Sequence, residues 1–184
     1  VDSGRWLEAD LSLTGFDGLE RLTVISAYLH SGQLGTEKMD QKYAHLELVD
    51  ARMAELLESS ESGGPQVVMA GDLNVVRSEQ DIKNWKPNHN KTAGVMDEEI
   101  AHLESWFAAG WIDVARRLAP HEQGPYTWWS QRGKAFDNNA GWRLDYQVTT
   151  PRLAGRASSF TVDRAGSHAA RWSDHAPLVI DYAF

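Results

Sequence analysis

With 184 residues, 42% of them hydrophobic, the chain is long enough for one sizeable core, and residues 1–184 fall within the usual range of a single domain. The absence of cysteine excludes disulfides and thiolate metal sites, leaving Asp, Glu, His and Asn as bases and as ligands for a hard, oxygen-preferring metal. A net charge of −8 argues against gripping nucleic acid by bulk electrostatics but is compatible with an enzyme that has a local basic rim.

No run approaches the ~20 apolar residues of a membrane-spanning helix. No signal-peptide pattern opens the chain, so a soluble, cytoplasmic protein with no membrane partner is expected. Residues 6–11 alternate like the middle of a sheet, and with Val1 at the start the chain reads as a piece of something longer. Residues 22–28 are β-branched and apolar, and His30, Ser31 and Gly32 end the run, which predicts a buried strand with Tyr28 at its exit. From about 41 to 59, Leu46, Val49, Met53, Leu56 and Leu57 recur at three- and four-residue steps between charged residues, the pattern of an amphipathic helix. Gly63, Gly64 and Pro65 break it, and residues 66–70 form a second buried strand running into Gly71 and Asp72. A long polar loop follows Asn74. Asp97 then opens a second helix, with Ile100, Leu103 and Phe107 on one face and Gly110 as its stop. Residues 143–149 and 178–182 are further strands. Strands alternating with helices, and a strand-rich C-terminal half, indicate a mixed α/β sandwich.

Acids stand at the edges of several apolar runs, which is how a scaffold delivers side chains to one centre. Cleaving a phosphodiester needs an activated water, cationic or hydrogen-bonding groups around the phosphoryl oxygens, and stabilisation of the leaving oxygen. Asp72 is placed to accept a proton from water, and Asn74, on the same side of an extended segment by period two, to donate to a phosphate oxygen. Read alone, the same four residues from Gly71 are equally an Asx-type turn capping the strand. His175 titrates near neutral pH and suits phosphate binding or proton transfer, with Asp145 as the acid that holds its ring. A structural histidine at a sheet edge is the alternative. Asp174 reads as a metal ligand or as a turn residue before Pro177. No Gly-x-Ser-x-Gly elbow and no paired histidines at helical spacing occur, which argues against a serine hydrolase or a zincin.

Taken in order, Tyr28 after its strand, the run Gly71, Asp72, Leu73, Asn74, the run Gly141 to Tyr146 containing Trp142, Arg143, Leu144 and Asp145, and the run Ser173, Asp174, His175, Ala176, Pro177 closely resemble the exonuclease III family of abasic-site endonucleases. The resemblance extends from about Arg5 to the C-terminus and places the chain in the endonuclease/exonuclease/phosphatase superfamily. It implies a four-layer α/β sandwich of the DNase I type, N-terminally truncated to the C-terminal portion of a catalytic domain. It also implies Mg²⁺- or Mn²⁺-dependent hydrolysis of double-stranded DNA 5′ of abasic sites and at 3′ ends. Residue by residue, Asp72 would activate or orient water and Asn74 would bind phosphate. His175, oriented by Asp145, would contact the scissile phosphate, Tyr28 would contact the phosphate or help the leaving group, and Asp174 would lie near the metal. Trp128, Trp129, Trp142, Arg143 and Leu144 would face the damaged nucleotide, with one ring of the Trp128–Trp129 pair inside and one at the DNA. Residues 83–91 would form a backbone-contacting loop, with Asn84, Asn88 and Lys91 as donors.

The family's Trp-Asn-hydrophobic-Asn stretch and its metal-binding glutamate after Gln occur nowhere in this sequence. The piece as given is therefore expected to be impaired in catalysis and to cover exposed core surface by self-association. A superfamily phosphodiesterase acting on RNA, an inositol phosphate or a sphingolipid is one alternative, and a non-catalytic DNA-binding or structural piece is another. The ring cluster of Trp128, Trp129 and Trp142 and the 83–91 loop favour DNA.

Overall fold

The computed structural model describes residues 4–16 and 18–184. Its elements run β1 (Trp6–Ser12), β2 (Arg21–Tyr28), α1 (Glu37–Glu61), β3 (Gln66–Asp72), α2 (Trp85–Asn88), α3 (Asp97–Ala109), β4 (Ile112–Asp113), α4 (Val114–Leu118), β5 (Asp145–Thr149), α5 (Pro151–Ala154), β6 (Ala157–Val162) and β7 (Leu178–Tyr182). Short 3₁₀ turns lie at Glu79–Asp81 and His168–Ala170.

Among the described residues the strands form a five-stranded sheet in the order β1-β2-β3-β5-β4 and a two-stranded sheet of β6 and β7. Only β2 and β3 are parallel, joined through α1; every other pairing is antiparallel. The fold is mixed α/β. The stripe Leu46, Val49, Met53 and Leu57 of α1 packs on Ile25, Met69 and Val148 of the sheet, with Leu103 and Trp106 of α3 closing the layer. No helix among the described residues is long and apolar enough to cross a membrane.

Several boundaries differ from the sequence-based ones for local reasons. Helix α1 starts a turn earlier than residue 41 because Thr36 caps it, its side chain accepting from the Lys38 amide, with Glu37 and Asp40 favourably placed in the first turn. Strand β3 continues past Ala70 because Gly71 and Asp72 still pair with Ala27 and Tyr28. That approach is close: a Cβ built on Gly71, at φ 150°, would sit 1.8 Å from the Ala27 carbonyl oxygen, so only glycine fits. Strand β1 lies at the sheet's edge rather than in its middle, with Leu7 and Leu11 exposed. The polar loop after Asn74 carries a 3₁₀ turn and α2, and β5 begins at Asp145 rather than Arg143.

Candidate active site

One row across the sheet builds the site. In the register, Tyr28 of β2 is opposite Asp72 of β3, and Asp72 is opposite Asp145 of β5. Parallel β2 and β3 end where antiparallel β5 begins, so three polar side chains from distant parts of the sequence reach one rim. His175 joins them through Trp128, which bridges to Trp142 on one side and to His175 on the other. The Trp129 amide donates to the Asp174 carbonyl (3.0 Å) and the Ala176 amide to the Thr127 carbonyl (2.8 Å), seating the residues around His175 against this segment.

The three titratable groups form a chain of contacts. His175 Nδ1 lies 2.8 Å from Asp145 Oδ2, and its Nε2 lies 3.9 Å from Asp72 Oδ2. Burial pulls the imidazole pKa down, but the hydrogen bond and charge of Asp145, helped by Asp72 and Asp174, outweigh it and raise the value above that of a free histidine. Burial, and then the charge of Asp145, push the Asp72 carboxyl up to about 6. Two raised values within one contact set, that of Asp72 through burial and the Asp145 charge and that of His175 against burial through Asp145, characterise groups tuned for proton transfer. Asn74 holds Asp72: its amide N–H donates to Asp72 Oδ1 and its side-chain Nδ2 to Asp72 Oδ2, each at 2.9 Å.

Asn74 itself is not on an extended segment. It turns left-handed at φ 51°, and Nδ2 also donates to the Leu29 carbonyl at 3.0 Å. The Asx-type turn and the site are thus the same structure, and the side-chain amide orients Asp72 rather than presenting its donors to a phosphate. Tyr28 is 52% exposed, with the Arg5 guanidinium 4.7 Å from its ring centroid.

Beside the row opens a cleft of about 590 Å³ whose walls include Asn74, His175, Trp128, Trp142, Leu144 and Lys91. Trp128 and Trp142 meet edge to face with centroids 5.5 Å apart, and Trp128 Nε1 donates to Asp174 Oδ2 at 3.0 Å. Trp129 takes the inner place. It is buried against Tyr126 and Phe136, and its Nε1 donates to Asn139 Oδ1. Its DNA-facing assignment is therefore corrected to a core role. So is that of Arg143, which is fully buried: Nε donates to Asp81 Oδ1 at 2.6 Å, and Nη1 and Nη2 form a fork on Asp113 at 3.0 and 2.7 Å. In the 83–91 loop, Asn88 spends its amide within the loop, donating to the Asn84 carbonyl and accepting from Thr92 Oγ1. Asn84 and Lys91 are exposed, and Lys91 reaches the cleft.

Three supporting residues escape a reading by motif. Thr127, fully buried, accepts from the amides of Leu144 and Asp145 on its Oγ1 at 3.1 and 3.0 Å, fixing where Asp145 starts β5. Lys42 and Glu99 form an ion pair at 2.5 Å with both side chains fully buried. A usable signal for Lys42 was in the sequence: it stands on the apolar stripe of α1, between Met39 and Leu46 at three- and four-residue steps.

The expected metal finds no complete ligand set here. Among the described residues no three His, Asp or Glu side chains group to hold an ion. Asp72 gives both oxygens to Asn74, Asp145 pairs with His175, and Asp174 accepts from Trp128. These donors do not by themselves fit a metal centre.

A model of the Endonuclease/Exonuclease/phosphatase family matches residues 8–175. The chain is 34% identical to an exodeoxyribonuclease of Bacillus subtilis over 161 residues, covering 86% of this chain and 59% of the relative. It is 31% identical to a DNA-(apurinic or apyrimidinic site) endonuclease of Dictyostelium discoideum over 160 residues, covering 86% and 42%. The crystal structure of an AP endonuclease from Leishmania major superposes with a TM-score of 0.78 at 26% identity, covering 96% of this chain and 54% of that one. The chain thus spans about half the length of the proteins it matches.

Proposed function

Because the chain belongs to the Endonuclease/Exonuclease/phosphatase family, we propose that it carries the phosphodiester-cleaving centre of an exonuclease III-like DNA repair enzyme, acting 5′ of abasic sites and at 3′ ends. The observation that carries this reading is the contact chain Asp145–His175–Asp72 at the mouth of a cleft walled by Trp128 and Trp142. In this reading the family's four-layer sandwich, which the present two sheets would contribute to, supplies the rigid frame.

At neutral pH Asp72, with its pKa near 6, is ionised and accepts a proton from the water that attacks phosphorus. Asp145 holds the imidazolium of His175, whose Nε2–H donates to a phosphoryl oxygen as negative charge builds there. Water adds to phosphorus as its proton passes to Asp72, the bond to the 3′ oxygen breaks, and the departing oxygen takes up a proton from solvent. Tyr28, on the same row, contacts the phosphate or the departing oxygen. The rings of Trp128 and Trp142 enclose an extruded abasic sugar, and Lys91 and Asn84 contact the backbone. Mg²⁺ or Mn²⁺ belongs to the proposal through the family alone; Asp174, which accepts from Trp128, would need further ligands to hold it, and no step of this cleavage is routed through the ion.

Incision of a duplex bearing one abasic site tests the proposal. Asp72→Asn should abolish cutting, and retained activity would remove Asp72 from the reaction. The incomplete ligand set favours a second reading, in which the 184-residue chain binds DNA without cutting it. Turnover of an abasic duplex by this chain would exclude that reading.

A further inference from the structure

The buried ion pair of Lys42 and Glu99 is placed where three loops meet. The Lys42 ammonium donates to two carbonyls from separate segments, Ser31 after β2 at 3.3 Å and Asn74 after β3 at 2.8 Å, and stands 2.5 Å from Glu99 Oε1 as an ion pair. Glu99, in the first turn of α3, extends the link: its Oε2 accepts from the amides of Gly94 at 2.6 Å and Met96 at 3.0 Å. Each of the three segments contributes to, or adjoins, the wall of the cleft.

The packing leaves no slack around this link. A Cβ on Gly94, at φ 89°, would sit 2.8 Å from the Asn74 carbonyl oxygen and 3.6 Å from Trp142 Cζ3. A Cβ on Gly32 would meet the Lys42 Cδ at 3.0 Å. The Gly94 carbonyl in turn accepts from the Val76 amide at 2.9 Å. Two fully desolvated charges are a costly way to hold a core together, since apolar residues of similar volume often do as well or better. What apolar residues cannot do is bind two carbonyls and two amides at fixed points.

We propose that Lys42 and Glu99 are paired positioning residues that clamp the Ser31, Asn74 and Gly94 loops, and so set both the orientation of Asn74 toward Asp72 and the width of the aromatic cleft. The inference rests on the proposed function for its catalytic consequence, but the clamp has a readout of its own. Replacing both charges, Lys42→Met with Glu99→Gln, leaves no unpaired buried charge while removing the ammonium donors. If the pair only stabilises the fold, Tm falls while kcat of the folded protein is retained. If it positions the site, Tm stays within about 5 °C while kcat on an abasic duplex falls by about 10²-fold.

In a ¹⁵N correlation spectrum the indole N–H of Trp142 should then shift or broaden, while those of Trp106 and Trp111 in the core hold still. Wild-type kcat together with an unmoved Trp142 signal overturns the proposal. Should the double variant fail to fold, Lys42→Arg, which keeps a cation beside Glu99 but re-aims its donors, is read by the same two criteria. A wild-type protein that neither binds nor cuts the duplex would remove the proposed function, and the Trp142 resonance would still decide the clamp.

Discussion

At the scale of single residues, the proton affinity of Asp72 governs the proposed chemistry. Burial and the neighbouring Asp145 raise its carboxyl to about 6, so the base is protonated and silent in acid and becomes available as pH rises through that value. The pH profile of kcat/KM on an abasic duplex should therefore carry an acid limb near 6. His175 acts on this limb from 3.9 Å, because its positive charge favours the ionised form of Asp72. Replacing it by an uncharged side chain, His175→Gln, removes that support and should move the limb upward, while kcat falls by about 10²–10⁴-fold from loss of the positioned donor. A limb that stays in place in the variant would mean that some group other than Asp72 titrates in the profile.

At the scale of elements, what the sequence made legible and what it hid have different physical origins. Periodicity located β2, α1, β3 and α3 because each buries one face or both, and burial writes itself into the spacing of apolar residues. Asp72 was visible for the same reason, since it stands where the pattern of β3 stops, whereas Asp145 lay inside the expected strand 143–149 and opens β5 in the structure. The register that sets Tyr28, Asp72 and Asp145 in one row was not visible, because it depends on pairings between distant residues, Tyr28 with Asp72 and Asp72 with Asp145. Arg143 shows the opposite limit: a basic residue between two site residues looks like a DNA contact, yet the chain turns it inward to Asp81 and Asp113. Removing it would leave the buried Asp113 without its guanidinium fork and Asp81 with Arg116 as its remaining cation. Arg143→Met should therefore cost about 3–5 kcal/mol of stability by chemical denaturation, with the loss of function following the loss of fold. A variant of wild-type stability that loses only DNA affinity would return Arg143 to the binding surface.

At the scale of the whole molecule, charge and apolar exposure pull in opposite directions, and salt separates them. Alternation along β1 turns Leu7 and Leu11 outward, 69% and 44% exposed, on a strand with one sheet neighbour among the described residues. Val179 of β7 is 47% exposed in a two-stranded sheet, a unit that is marginal without further packing. An apolar edge of this kind invites a second chain, whereas a net charge of −8 holds copies apart. We propose that the 184-residue chain self-associates through this edge once repulsion is screened. Light scattering should show the average mass rising with protein concentration, and rising further between about 0.05 and 0.5 M salt as the Debye length shrinks. Lysine at both outward positions, Leu7→Lys with Leu11→Lys, should restore a monomer. DNA binding has the reverse dependence, because contacts from groups such as Lys91 release counterions and weaken as salt rises. The two behaviours are thus separable in one titration, and a monomer at every concentration and salt level would show that the exposed edge of β1 stays unpaired in solution.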